Sequence, residues 1–232
     1  TYSNTSGNTW TAKYTANASD TDGSVTFSIA FTDGSNVGTD VTTGSGSVIF
    51  DKTLPTVSSF TTTTSSGSYN QAEEIVITAN TTESVQSDNT ITVTLDTSDT
   101  VLLTAASTGT TLVGTYTVGS GDTSAGLTVS SFTIGTVADT AGNAMTSTTL
   151  PSAGSIFGSK TIIIDTASPN LTQVTAITTP SNNTTPSYVF TTDEAGTIST
   201  SISQGFSTSS SASTGSDQTI IFNTLPDGTY SG

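Results

Sequence analysis

The chain has 232 residues and a formal charge of −15, with 18 acidic side chains against Lys13, Lys52 and Lys160, and it contains no His, Cys or Arg. Without imidazole or thiol it lacks the usual general base near neutral pH and the ligands that zinc, copper and haem prefer, which argues against a transition-metal or redox enzyme. The same charge repels the phosphates of nucleic acid and attracts divalent cations. About two residues in five are Ser or Thr. Apolar residues nevertheless recur in alternation with them, so antiparallel sheet with one wet and one packed face is expected, not a disordered polar tract. No apolar run approaches the roughly 20 residues of a membrane span, and none reads as a signal peptide. The piece is therefore expected to be soluble, with any targeting signal in its parent.

Trp10, Ala12 and Tyr14 alternate as a strand would, and Ser19-Asp20-Thr21-Asp22-Gly23 supplies turn chemistry after them. Val25, Phe27, Ile29 and Phe31 then alternate with Thr26, Ser28 and Ala30, the clearest strand pattern in the chain and one that predicts a buried face. A turn at Asp33-Gly34-Ser35-Asn36 follows, and a last strand ends at Val48-Ile49-Phe50. Residues 1–51 thus read as the closing strands of a domain.

Asp51-Lys52-Thr53-Leu54-Pro55 and Asp165-Thr166-Ala167-Ser168-Pro169 repeat one D-x-x-x-P junction, and their separation matches one small domain. Between them, strands are predicted over 57–61, 74–79, 90–95, 101–105, 112–118, 127–134 and 161–164. Seven short strands in about a hundred residues predict an immunoglobulin-like sandwich over 52–165. Along 127–134 the apolar parity changes, from Leu127 and Val129 to Phe132 and Ile134, which predicts a β-bulge near Ser130-Ser131.

Residues 166–232 open a third module, with strands at Tyr188-Val189-Phe190 and Ile220-Ile221-Phe222. Leu225-Pro226-Asp227-Gly228-Thr229-Tyr230 has the form of the turn before a sixth strand, where a Tyr hydroxyl ties down the corner. Tyr14 precedes Asp20 by six residues, as Tyr116 precedes Asp122, and Val25-Thr26-Phe27-Ser28 parallels Leu127-Thr128-Val129-Ser130. One segment therefore occurs twice. The fold class expected is all-β: tandem immunoglobulin-like antiparallel sandwiches, one complete and two partial, with both ends cut mid-domain.

These features resemble the tandem immunoglobulin-like repeats of large bacterial and archaeal surface proteins, including giant adhesins and surface-layer or filament proteins. The likeness is carried by the two junctions, by Asp139-Thr140-Ala141-Gly142-Asn143, and by Thr185-Pro186-Ser187-Tyr188 with Asp193-Glu194-Ala195-Gly196-Thr197-Ile198. It covers essentially the whole chain, and Thr82-Glu83-Ser84-Val85 departs from the family's Ser-Glu turn. The resemblance implies an extracellular location, head-to-tail modules, calcium at junctions and no catalysis.

Topology independently suggests a metal site, because alternate loops of a sandwich share the pole where the chain enters. Those loops are expected to carry Glu83, Asp99 and Asp139 with Asn143, beside Asp51. Asp165 and Glu194 are expected to meet in the same way at the next junction. Calcium accepts six to eight oxygens in irregular geometry. The competing reading is that these are solvated turn residues, since Asp and Asn suit turns for backbone reasons.

Other motifs carry less. Asp20-Thr21-Asp22-Gly23 lacks the further acids and closing Glu of an EF-hand and reads as a plain turn. Glu73 and Glu74 are adjacent in a strand, point to opposite faces and make a poor acid/base couple. Asn4, Asn17, Asn80, Asn170, Asn182 and Asn183 open N-x-Ser/Thr triplets, which a chain this rich in Ser and Thr produces by chance. Trp10 and the Tyr residues are expected in core or corner packing rather than as a sugar-stacking platform. Lys52 and Lys160 are expected to pair with junction acids.

The function expected from the sequence is a non-enzymatic structural segment, an adhesin stalk or surface-layer component whose partners are the neighbouring modules. Two alternatives are a self-assembling filament in which incomplete modules complement each other between like subunits, and a glycan- or protein-binding module.

Overall fold

The computed structural model describes residues 1–199, 201, 204–208 and 210–230. Strands dominate it, and the one helical turn among the described residues is a 3-10 turn at Ala153–Ser155. None of its helices is long and apolar enough to cross a membrane. The chain divides into two compact units, Thr1–Thr166 and Ala167–Gly232.

In the first unit, β1 (Tyr2–Ser6) and β2 (Thr9–Ala12) form a hairpin, and β3 (Gly23–Ser24) pairs with β4 (Ile49–Phe50). The strand expected over 25–31 is reduced to isolated bridges, Ile29 to Val41 and Thr32 to Val37. Its apolar face is not buried: Val25, Phe27, Ile29 and Phe31 are 45–70 % exposed. Period-two alternation specifies which face is apolar but supplies nothing to lie on it. Of the residues expected in core or corner packing, Trp10 and Tyr14 are exposed, and Tyr14 ties its turn to Asp20 through its hydroxyl.

The core lies between residues 57 and 164. A curled six-stranded antiparallel sheet runs, in spatial order, through β12 (Val129–Thr136), β8 (Thr90–Leu95), β9 (Thr100–Thr104), β10 (Gly109–Thr117), β7 (Glu74–Val85) and β5 (Val57–Thr61). A second sheet holds β11 (Thr123–Ser124), β13 (Ile162–Asp165) and β6 (Gly67–Tyr69), with β13 and β6 parallel. Alternation decides the packing. Ile75, Ile77 and Ala79 of β7, Ile91, Val93 and Leu95 of β8, and Ile162 and Ile164 of β13 join one buried cluster. Phe60 meets Phe132 edge-on at 5.8 Å. The expected bulge is present, for the β12–β8 register shifts between Val129 and Ser131, and it lets both Val129 and Phe132 face inward.

In the second unit β14 (Leu171–Thr175), β15 (Ser187–Thr192) and β18 (Gln218–Ile221) form an antiparallel sheet, and β16 (Gly196–Thr197) pairs with β17 (Ser211–Ala212). Its core is small, consisting of Phe190, Ile220 and Phe222. Tyr230 donates its hydroxyl to the Pro226 carbonyl at 2.8 Å.

Candidate metal centre

Three carboxylates converge where the first junction meets the six-stranded sheet. Asp51 follows β4, Glu83 lies near the end of β7, and Asp139 opens the turn after β12, which a bridge to Val85 holds against β7. One oxygen from each lies within 4.8 Å of the others.

Asp139 is 1 % exposed, and its turn is built around its charge. Its Oδ1 accepts the N–H groups of Ala141, Gly142 and Asn143 at 2.7–2.8 Å, and its Oδ2 accepts the Asn143 amide at 2.9 Å. Gly142 adopts φ +97°, a conformation that disfavours a side chain, so the turn closes tightly enough for three N–H groups to aim at one oxygen. Burial by itself would raise the Asp139 pKa. The Asn143 side chain and the three N–H groups outweigh it and hold the carboxyl below its ordinary range.

Glu83 has the opposite environment. Its Oε2 is shielded from solvent and has no hydrogen-bond partner. Desolvation raises its pKa, and the neighbouring charges of Asp51, Asp139 and Asp22 raise it further. Thr81 secures the local backbone by donating Oγ1–H to the Glu83 carbonyl at 2.6 Å.

Asn143 acts as a strut in this geometry through its amide nitrogen. Its amide nitrogen donates to the Asp51 carbonyl at 3.1 Å and to Asp139 Oδ2, an assignment fixed because the amide oxygen cannot face two acceptors. Asp22, read from sequence as part of a plain turn, belongs to the same neighbourhood. It accepts the Lys52 N–H at 3.1 Å and the Thr53 hydroxyl, binding the junction to the residues before it.

Asp99 is not with this group. Its turn joins β8 to β9, at the opposite end of the sheet from the Val85–Asp139 bridge. It therefore sits at the far end, beside Tyr116 and Asp122. Asp165 pairs with Thr123 at the end of β13 in the first unit, whereas Glu194 lies in the second, where Thr192 Oγ1 donates to its carbonyl at 2.8 Å. The lysine contacts seen among the described residues are to backbone carbonyls. Lys52 Nζ donates to the carbonyls of Ala18 and Asp20, and Lys160 Nζ to those of Thr63 and Thr64.

Chemically the group offers oxygen donors only, two of them with opposed protonation tendencies. A proton on Glu83 or a hard cation among the three would relieve the repulsion between these charges, and the donor set fits calcium or magnesium better than any thiophilic metal. Compared with family models, with curated proteins and with solved structures, the chain matches none.

Proposed function

We propose that this chain is a non-enzymatic structural segment of a large extracellular surface protein, built from immunoglobulin-like modules in tandem and stiffened at its junctions by calcium. The carrying observation is the Asp51, Glu83 and Asp139 group, which joins a residue of the D-x-x-x-P junction to strand β7 and to the turn after β12, and leaves Glu83 Oε2 without a partner. Asp51, Glu83 and Asp139 would hold the cation, while Asn143 and Asp22 keep the junction in place. Bound calcium supplies the positive charge that lets these carboxylates stay ionised together.

The repeated modules have support in hydrogen bonds. Tyr14 donates to Asp20 at 2.6 Å and Tyr116 to Asp122 at 2.5 Å, and each Asp also accepts the N–H three residues before it, from Asn17 and Gly119. The Asp33 turn copies the Asp139 turn: Asp33 Oδ1 accepts the N–H groups of Ser35 and Asn36, and bridges flank both turns. The register of β14 on β15, Leu171 against Thr192, copies that of β5 on β7, Val57 against Thr81. The Tyr230 contact supports the immunoglobulin-like corner.

Calorimetry in calcium and in chelator tests the reading. A cation at about 100 times its Kd stabilises by about 2.7 kcal/mol, which raises the Tm of a domain this size by about 5 °C or more. Glu83→Gln is expected to abolish the difference. An unchanged Tm in calcium would remove the proposed stiffening.

A further inference from the structure

The two junctions differ in their second residue, yet each is held by the same turn of the segment before it. Lys52 and Thr166 both stand second in their D-x-x-x-P runs. Lys52 Nζ donates to the carbonyl of Asp20, and Thr166 Oγ1 donates to the carbonyl of Asp122 at 3.0 Å. Asp20 and Asp122 are the two residues that a Tyr hydroxyl clamps, from Tyr14 and Tyr116. An ammonium and a hydroxyl thus reach the same acceptor at the same place in the repeat.

The clamp explains how that acceptor is presented. In each turn the Asp carboxylate also takes the N–H three residues before it, from Asn17 at 2.7 Å and from Gly119 at 2.6 Å. With the side chain fixed at both of these donors, the backbone carbonyl of the same residue is held towards the junction. Further contacts widen the seat. Lys52 Nζ donates to the Ala18 carbonyl at 2.9 Å, the Lys52 N–H and the Thr53 hydroxyl donate to Asp22, and the Gly121 N–H donates to Thr166 Oγ1 at 3.2 Å. The Tyr14 hydroxyl, then the Asn17 N–H and the Lys52 charge, keep the Asp20 carboxyl below its ordinary range.

At the first junction these ties cross along the chain. Asp51 is bound to the domain that follows, its carbonyl accepting the Asn143 amide and its carboxylate standing beside Glu83 and Asp139. Lys52 and Thr53 come later in the chain, but they are bound back to residues 18–22 of the segment that precedes. Pulling the two sides apart therefore loads both sets of contacts before it loads the linker.

We propose that the Tyr-clamped turn is a latch for the junction that leaves its module. It seats a hydrogen-bond donor, either ammonium or hydroxyl, at the second residue of D-x-x-x-P and holds the linker from the exit side without a cation. Tyr14, Asp20, Tyr116 and Asp122 are its positioning residues. The latch does not rest on the cation reading above, because its contacts and the carboxylate group lie on opposite sides of the Asp51–Lys52 bond.

Trypsin tests the latch, because Lys13, Lys52 and Lys160 are the only residues in the chain after which it cuts. The second junction has no such residue, and Thr166→Lys supplies one while copying the chemistry of the first. In chelator, the full-length Thr166→Lys chain should be cut at 52 and at 166 severalfold more slowly than short peptides of the same junctions. Adding Tyr116→Phe should speed the cut at 166 severalfold and leave that at 52 unchanged, and adding Tyr14→Phe should do the reverse. Lys160, whose ammonium bonds to the Thr63 and Thr64 carbonyls, reports general loosening of the middle domain. In chains without the new lysine, Thr166→Val should speed exchange of the Gly121 amide severalfold, whereas Thr166→Ser, which keeps the hydroxyl, should not. Cuts at 52 and 166 as fast as in the peptides, or rates that ignore both Tyr substitutions, would overturn the latch. A rise at Lys160 equal to that at 166 would also overturn it, by showing that Tyr116 only steadies the domain. Protection at 52 that appears in calcium alone and vanishes in Glu83→Gln would assign the junction to the cation instead. Protection in chelator with no calcium effect on Tm would support the latch and count against the cation.

Discussion

Residues 14–50 and 116–164 carry one local pattern in two settings. Both have the Tyr-to-Asp clamp and the Asp turn with its row of N–H donors. The second adds a bulged ladder to a neighbouring strand and buries its inward apolar side chains, whereas the first has scattered bridges and an apolar stripe in solvent. Local hydrogen bonds therefore form from local sequence, and burial comes only with the strands that lie opposite. Energetically this separates contacts worth about 1 kcal/mol each from the several kcal/mol of a filled core.

The largest expected contrast is between counterpart apolar positions. Phe132→Ala should cost about 3–5 kcal/mol in urea unfolding, because it empties a packed site against Phe60. Ile29→Ala should change the same transition by less than about 0.5 kcal/mol. A large loss at Ile29 in dilute solution would mean that its face is already covered.

The two Asp turns give a smaller contrast. Asp139→Ala strands three N–H groups in a site 1 % exposed and should cost about 2 kcal/mol. Asp33→Ala, in an exposed turn, should leave the main unfolding transition unmoved.

The Tyr clamps should differ least. Tyr116→Phe is expected to cost about 1 kcal/mol, and Tyr14→Phe nothing measurable in that transition. The Tyr116 hydroxyl, followed by the Gly119 N–H and against the effect of burial, holds the Asp122 carboxyl below its ordinary range. A depressed carboxyl stabilises fully above its unfolded pKa of about 3.9, and that contribution fades as pH falls through the folded value. The gap between wild type and Tyr116→Phe should therefore be constant near neutrality and close below about pH 4. A gap that persists to lower pH would show that the clamp does not act through the Asp122 charge.

Much of the middle domain was legible in the sequence, because alternation is a direct record of a half-buried strand. β7, β8 and β9 alternate cleanly, and the parity change after Val129 locates the bulge. Glu83 and Asp139 were legible as acids close to Asp51, although β7 runs on to Val85 and carries Glu83 in the strand, not in the loop expected after residue 79. Asp99 was misplaced because a loop's end of the sheet depends on counting strands correctly, and an error of one strand moves it across the domain. Asp22 was missed because its partners are Lys52 and Thr53, some thirty residues away, and a turn motif gives no sign of them. The exposure of Phe27 and Ile29 was not legible, since their pattern is the same with or without a covering sheet.

Amide hydrogen exchange on the dilute chain tests the central contrast most directly. The Leu127 amide, which donates to the Ile162 carbonyl inside the core, should exchange only through global unfolding. The Val25, Ile29 and Val41 amides, bonded to Val48, Val41 and Ile29 in the exposed segment, should exchange orders of magnitude faster. Equal protection of the two sets at low concentration would contradict the account.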